Sequence, residues 1–167
     1  MKNRSRQLVL ILDNIRSAHN VGAIFRSADA FAVAEIISTG ITPYPEIKND
    51  TRLPHVRQKA TRLIAKTALG AEKTIPFRHI PSIKHAIAYL IDSGYKIYGL
   101  EQSPKSVDIR KFKPHFPCAL SVGNELTGLS RSHLDACDAV VEIPILGKKE
   151  SLNVAVATGI ALFQLTG

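Results

Sequence analysis

The residues best suited to chemistry lie in three polar, glycine-containing segments of the 167-residue chain, namely 14–26, 123–128 and 144–153. The first contains Arg26, whose forked guanidinium suits a phosphate or a carboxylate. The second contains Glu125, a carboxylate that can accept hydrogen bonds from a hydroxyl, an amine or a guanidinium. The third ends in Ser151 and Asn153, just before a strongly apolar stretch. If the fold brings the segments together, they form a ligand-binding site.

Each of these residues also has a purely structural interpretation. Arg26 follows Gly22 by four residues, so both lie on one helix face near its positive end. The alternative for Arg26 is a surface ion pair with Asp29 or Glu35. The alternative for Glu125 is a carboxylate that caps the start of the next helix. The residue types alone leave both choices open.

Several common site chemistries are excluded by spacing. Gly123 and Gly128 resemble the glycines of a phosphate-binding loop, but Leu129 and Ser130 stand where that loop requires Lys and Ser or Thr. No Gly-x-Gly-x-x-Gly pattern for a dinucleotide is present. The third segment precedes the last helix, and Ser151 is expected to cap that helix.

The chain has two cysteines, which excludes a disulfide-based scaffold. Pairs of possible zinc ligands occur at His115 and Cys118, and at His133 and Cys137. However, Cys118 opens an expected buried strand and Cys137 ends an expected helix. Both are therefore interpreted as structural cysteines, and no metal site is predicted.

Apolar runs of strand length alternate with stretches of helical period, which predicts an α/β domain spanning residues 1–167. Its sheet should be mostly parallel, with helices on both faces. The expected strands are 8–13, 35–39, 74–77, 95–101, 118–122 and 139–145. The expected helices are 21–31, capped by Asn20, then 59–68, 82–92, 130–137 and 151–165, with a long loop over 41–58. Ligands bind at the carboxyl ends of such strands, where the three polar segments fall.

Composition favours a globular protein with polyanionic partners. The formal net charge is +8 and the sequence pI is about 9.7, which is typical of proteins that bind nucleic acid. The first apolar run, 8–12, ends at Asp13 and is too short for a signal peptide or a membrane span. These features predict a soluble, cytoplasmic protein.

Taken in order, the three segments resemble the signature motifs of the SpoU/TrmH-type RNA ribose methyltransferases of the SPOUT superfamily. The first motif, Asn-x-Gly-x-x-x-Arg, matches Asn20, Gly22 and Arg26. The second, Gly-x-Glu-x-x-Gly, matches 123–128, and the third, Pro-x-x-Gly-x-x-x-Ser-Leu-Asn-Val, matches 144–154. The resemblance covers about residues 7–165.

The resemblance implies a fold, a cofactor and a partner. The C-terminal part would form a deep trefoil knot that binds S-adenosylmethionine. The enzyme would be a homodimer whose sites are each completed by the partner subunit, and the apolar last helix independently fits such an interface. The implied cofactor-binding residues are Leu100, Glu101, Gly123, Ile143, Ser151 and Leu152. The implied catalytic residues are Arg26 together with Asn20, Glu125, Ser151 and Asn153.

The implied reaction transfers a methyl group to a ribose 2′-hydroxyl of structured RNA. Because the pKa of arginine exceeds about 12, Arg26 is expected to grip a phosphate and stabilise negative charge instead of acting as a base. The chain starts too close to the first motif for a separate N-terminal RNA-binding domain, which indicates a minimal form. RNA contacts are then expected from basic runs, namely Lys2 to Arg6, Arg52 to Lys66, Lys105 to Lys113, and Lys148 with Lys149.

Three alternatives remain open at this point. The chain could be a non-catalytic RNA-binding dimer of the same fold, or it could methylate a base or a protein. Transfer RNA is the favoured substrate, with ribosomal RNA as the other choice.

Overall fold

The computed structural model describes residues 7–167 and contains a seven-stranded sheet in the order β3-β2-β1-β6-β4-β7-β5, with every pairing parallel. The strands are β1 (Leu8–Asp13), β2 (Glu35–Thr39), β3 (Phe77–His79), β4 (Lys96–Leu100), β5 (Val107–Asp108), β6 (Cys118–Val122) and β7 (Ala139–Glu142). The predicted α/β class is thereby confirmed. The knot implied by the resemblance stays a prediction.

Helices cover both faces of the sheet. They are α1 (Ala18–Ala30), α2 (Pro54–Ala68), α3 (Ala71–Thr74), α4 (Ile83–Asp92), α5 (Arg131–Asp135) and α6 (Val154–Thr166), with a 3-10 turn at Ile109–Lys111. Even-numbered positions of β1, such as Leu10, face a core built with α1, α2, α3 and α6. Odd-numbered positions, such as Ile11, face a smaller core built with α4. Side chains alternate along a strand, so one buried strand serves both cores.

Two helix starts differ from the expectation. The first helix begins at Ala18, and its cap is Ser17, whose hydroxyl accepts a hydrogen bond from the Asn20 backbone N–H at 3.2 Å. The last helix begins at Val154, and Asn153 caps it by accepting from the N–H groups of Ala155 and Val156. The predicted capping roles of Asn20 and Ser151 are therefore wrong. Both side chains are left available for the site.

The segment predicted as a loop over 41–58 also differs, because α2 starts at Pro54 and not at Lys59. Proline at the first helical position needs no N–H partner, and the first turns of α2 carry no buried residue to give a periodic signal. Extended structure at 74–77 is shifted to β3, after the short α3. Pairing of the two-residue β5 with β7 was not predicted.

Gly22 lies where α1 crosses α2. A Cβ atom at this position would stand 2.2 Å from both the carbonyl oxygen of Ile64 and the hydroxyl oxygen of Thr67. Thr67 also donates a hydrogen bond to the His19 carbonyl at 2.8 Å. Gly22 therefore serves the close approach of two helices and not of a ligand.

No helix in the part of the chain that the structure describes is long and apolar enough to cross a membrane. Lys2, Arg4 and Arg6 lie outside the described residues.

Candidate functional site

A cavity of about 540 Å³ opens at the carboxyl ends of β4, β6 and β7. It contains eight of the residues predicted for the site, namely Leu100, Glu101, Gly123, Glu125, Ile143, Ser151, Leu152 and Asn153. Its volume falls within the range of roughly 300–1,000 Å³ found for small-molecule sites. The cavity lies where parallel α/β sheets bind ligands.

The loop after β6 folds back tightly on itself at two glycines. A Cβ atom at Gly123 would stand 2.5 Å from the Gly128 carbonyl carbon, and one at Gly128 would stand 2.0 Å from Glu101 Oε2. The same Glu101 oxygen accepts a hydrogen bond from the Leu129 N–H at 2.9 Å. The loop itself fills the space beside the Gly123 Cα atom, so a side chain at this position would displace the loop. Glu101 fixes the loop and lines the cavity.

Glu125 binds the residues at the start of α1 and does not cap α5, the helix that follows Glu125 in sequence. Its carboxylate accepts hydrogen bonds from the N–H groups of Arg16 at 2.9 Å and Ser17 at 3.0 Å. It also accepts one from the Asn20 side-chain amide at 3.0 Å. Helix α5 is instead capped by Ser130. Burial opposes ionisation, but the bonds from Arg16, Asn20 and Ser17 outweigh it and hold the pKa of Glu125 below its usual value.

Asn20 and Asn153 complete a connection between all three motifs. The Asn153 side-chain amide donates to Asn20 Oδ1 at 3.1 Å, while its own Oδ1 caps α6. Asn20 in turn donates to Glu125. A continuous chain of side-chain hydrogen bonds therefore joins the ends of segments that are more than 100 residues apart in sequence.

The cavity wall from the third motif is joined to β4 by a contact that sequence analysis missed. The Gln102 side-chain amide donates to the Glu150 carbonyl oxygen at 3.0 Å. Ser151 and Leu152 follow directly and are exposed at the cavity, as a ligand-contacting position requires. Gln102 belongs to none of the three motifs. Its contact with Glu150 is seen only in the structure, where β4 lies close to this loop.

Arg26 lies outside the cavity of its own chain. It is exposed and lines a separate groove between α1, α2 and α6. Neither suggested ion-pair partner is used, because Asp29 accepts from Thr74 and Glu35 pairs with Arg78. Among residues 7–167, nothing forms a salt bridge or hydrogen bond with the Arg26 guanidinium.

This groove is mostly apolar. It is lined by Ala23, Arg26, Ser27, Phe31, Lys66, Thr67, Leu69, Ala155, Val156, Gly159 and Ile160. On the outer side of α6, Val156 is 53% exposed, Ile160 42% and Phe163 67%. Such a run of uncovered apolar side chains marks an interaction surface.

A buried polar cluster lies on the other side of the sheet. Ser121 Oγ stands 2.9 Å from His133 Nε2, and His133 Nδ1 stands 3.4 Å from Asp13 Oδ2. Thr39 donates to the other Asp13 oxygen at 2.7 Å. The arrangement resembles a hydrolytic triad, but all its members are buried, so it ties β1, β2, β6 and α5 together and meets no substrate.

Three of the four residues weighed as zinc ligands, Cys118, His133 and Cys137, lie in buried or half-buried structural surroundings. Burial raises the pKa of the Cys118 thiol to about 12 and that of Cys137 to about 11. His133 belongs to the polar cluster above. Within residues 7–167, no group of three His, Cys, Asp or Glu side chains is placed to hold a metal ion.

Comparison with known proteins agrees with this geometry. The model of the SpoU rRNA Methylase family matches residues 7–163. The chain is 37% identical over 163 residues to a protein from Xanthomonas axonopodis pv. citri named 23S rRNA (guanosine-2'-O-)-methyltransferase RlmB. That match covers 95% of this chain and 58% of the relative. The chain thus spans less than two thirds of the length of such curated relatives.

Solved structures show the same fold. A crystal structure of an AdoMet-bound rRNA methyltransferase from Sinorhizobium meliloti has a TM-score of 0.76 and 29% identity, covering 95% of this chain and 55% of that one. A crystal structure described as the A. aeolicus TrmH/SpoU tRNA modifying enzyme has a TM-score of 0.76 and 27% identity. It covers 96% of this chain and 75% of its own.

Proposed function

Because the chain belongs to the SpoU rRNA methylase family, we propose that it transfers a methyl group from S-adenosylmethionine to a ribose 2′-hydroxyl of RNA. The observation that carries this proposal is the hydrogen-bonded chain from Glu125 through Asn20 to Asn153, which joins all three motifs beside the cavity. Geometry of this kind positions reactants, and positioning is the main task for a donor that is already activated.

The cavity suits S-adenosylmethionine by its chemistry. Leu100, Ile143 and Leu152 offer apolar surface for an adenine ring. Carboxylates at the cavity, from Glu101, Glu142 and Glu150, favour a ligand that carries positive charge. When bound, the cofactor supplies a methyl group on a sulfonium centre. Ser151 and Leu152, exposed at the cavity, are proposed to hold it in place.

Arg26 is proposed to act in the site of a partner subunit. It lies outside its own cavity, in a groove whose apolar α6 wall is uncovered in the single chain. A homodimer formed through α6 would cover that wall and bring Arg26 toward a second cavity. There Arg26 would bind the phosphate next to the target ribose and stabilise the negative charge that develops on the 2′-oxygen.

Structured RNA is the proposed substrate, with transfer RNA first and ribosomal RNA second, in the cytoplasm. The net charge of +8 supports a polyanion. Similar proteins carry names of both substrate classes. Aromatic residues are only 6% of the chain and Trp is absent, so contacts to phosphate and shape are favoured over base stacking.

The test is transfer of labelled methyl from S-adenosylmethionine to fractionated RNA from cells lacking this protein. Arg26→Ala is expected to lose transfer while its cofactor affinity changes by less than about threefold. Arg131→Ala is the matched control, because Arg131 is also exposed but starts α5 on the other side of the sheet. Its transfer should equal that of the wild type.

The labelled nucleoside decides between the alternatives. A 2′-O-methyl nucleoside in one RNA class supports the proposal and identifies that class. Label on a base would show a base-directed enzyme. No label in any fraction, from protein that binds the cofactor, would indicate a missing partner, an unusual substrate or a role in binding without catalysis.

A further inference from the structure

Helix α2 carries a stripe of basic side chains. His55, Lys59, Arg62 and Lys66 are spaced by four, three and four residues, so they share one face of the helix. We call these four residues the α2 stripe. It extends over about 16 Å at 1.5 Å per residue. Residues 54–68 contain no Asp or Glu, so nothing on the helix neutralises it.

The stripe faces away from the protein core. The buried residues of α2 are Ile64 and Ala68, which point to the opposite side of the helix. All four stripe residues are exposed. These four side chains therefore do not contribute to the hydrophobic core.

The Lys and Arg residues of the stripe differ from neighbouring arginines because they have no acidic partner among residues 7–167. Arg52 pairs with Asp50 at 2.6 Å, and Arg57 pairs with Glu46 at 3.1 Å. In contrast, Lys59, Arg62 and Lys66 make no ion pair or hydrogen bond within residues 7–167. The basic residues of this segment thus divide into two paired arginines, Arg52 and Arg57, and cations that have no acidic partner within residues 7–167 and can meet a polyanion.

The stripe leads to the proposed catalytic arginine. Lys66, at its C-terminal end, lines the same groove as Arg26. Helices α1 and α2 are locked together at Gly22, where no added carbon fits. A polyanion bound along the stripe would therefore reach Arg26, because the relative position of the stripe and Arg26 is fixed by the packing of α1 against α2.

From this geometry we infer that the α2 stripe binds the phosphate backbone of the RNA substrate and directs it to Arg26. The inference rests on the proposed function and adds the surface on which the substrate docks. RNA fits better than an acidic protein, because evenly spaced cations that end beside a guanidinium suit a row of phosphates. Another exposed basic run, Lys105 to Lys113, lies next to β5 at the far edge of the sheet.

The experiment compares two variants with equal loss of charge. The stripe variant is Lys59→Gln, Arg62→Gln and Lys66→Gln, and the control is Lys105→Gln, Lys111→Gln and Lys113→Gln. Affinity for bulk transfer RNA and, separately, ribosomal RNA is measured from 0.05 to 0.3 M salt. Each phosphate contact contributes about 0.7–0.9 to the slope of log affinity against log salt. We expect the stripe variant to lose about tenfold or more in affinity and about two to three in slope.

Further measurements separate docking from other effects. Cofactor affinity and thermal midpoint of the stripe variant should match the wild type, because the stripe lies outside both the cavity and the core. The double variant Lys59→Gln with Arg62→Gln leaves Lys66 and the groove unaltered. It should still lose about fivefold in RNA affinity, since it removes two of the three cations that the triple variant removes.

The outcomes distinguish this inference from the proposed function. If the wild type binds RNA and both triple variants bind it equally, the stripe is not the docking surface, although the proposed function stands. If the control loses more affinity than the stripe variant, RNA docks on the segment near β5 and the inference is wrong. If the wild type binds neither RNA with salt-dependent affinity, both the inference and the proposed RNA substrate are overturned.

Discussion

The cavity and the groove differ in whether their polar side chains have hydrogen-bond or ion-pair partners within the chain. At the cavity, Glu101, Glu125 and Asn153, together with Asn20 beside them, bind one another or nearby backbone N–H groups. In the groove, Arg26 has no acidic partner among residues 7–167 and lies beside uncovered apolar side chains. The cavity is thus preorganised by one chain, whereas the groove has the features of a surface that another molecule completes.

The largest expected effect comes from placing a charge in the groove. Ile160→Asp should prevent the proposed association through α6, because an aspartate in that interface would be desolvated without a partner. Sedimentation should show a monomer, and methyl transfer should fall by about 100-fold or more, since each site would lack the partner's arginine. Cofactor affinity should stay near that of the wild type, because one chain lines the cavity.

Ile91→Asp is the control for this change. Ile91 is also an exposed helical isoleucine, but it lies on α4, on the other face of the sheet. Its oligomeric state and activity should not change. A dimeric Ile160→Asp protein with full activity would show that the groove is not an interface.

An intermediate effect is expected from breaking the network at the cavity. Glu125→Ala leaves the N–H groups of Arg16 and Ser17 and the amide of Asn20 without their acceptor. The free energy of unfolding should fall by about 1.5–3 kcal/mol, as for loss of a charged acceptor, measured by urea denaturation. Glu125→Gln keeps one carbonyl oxygen and should lose less. Equal stability of Glu125→Ala and the wild type would contradict the bonding described here.

The smallest effect is expected from pH. Burial by itself would raise the pKa of Asp13, but hydrogen bonds with His133 and Thr39 outweigh it and leave the pKa below its usual value. A carboxyl whose folded pKa is depressed stabilises the fold above its unfolded pKa, near 3.9, and loses that contribution as pH falls through the folded pKa. Stability should therefore decrease below about pH 4, by at most about 1.4 kcal/mol per pH unit for this group.

Asp13→Asn provides the check on this pH dependence. Since asparagine does not titrate, the decrease in unfolding free energy below about pH 4 should be shallower in the variant. A slope identical to that of the wild type would mean that Asp13 does not carry the effect.

Local sequence signals predicted most of the fold. Buried strands such as Leu8–Asp13 and Cys118–Val122 were predicted with the observed bounds, because short continuous apolar runs between polar turns are typical of buried strands. The start of α2 was not, since its first turns are exposed and lack an apolar period. Two-residue β5 is defined by pairing with β7 and leaves no local pattern.

Sequence reasoning named residues that the structure brings to the cavity, but it did not predict their long-range contacts. Asn20 was expected to cap α1, but Ser17 does so, while the Asn20 side chain bonds to a carboxylate 105 positions away. Nothing near Asn20 in sequence distinguishes these two uses of an amide. The same limit applies to Gln102 and Glu150, whose contact depends on the placement of β4 against the third motif.

The helix crossing at Gly22 has a consequence for how a long ligand would be positioned. Two helices that meet with no room for one additional carbon cannot slide past each other, so α1 and α2 keep a constant offset. The distance between Lys66 and Arg26 is then fixed by the backbone. If RNA binds as proposed, the nucleotide that reaches Arg26 is selected by its distance along the strand from the phosphate bound at Lys66, whatever its base.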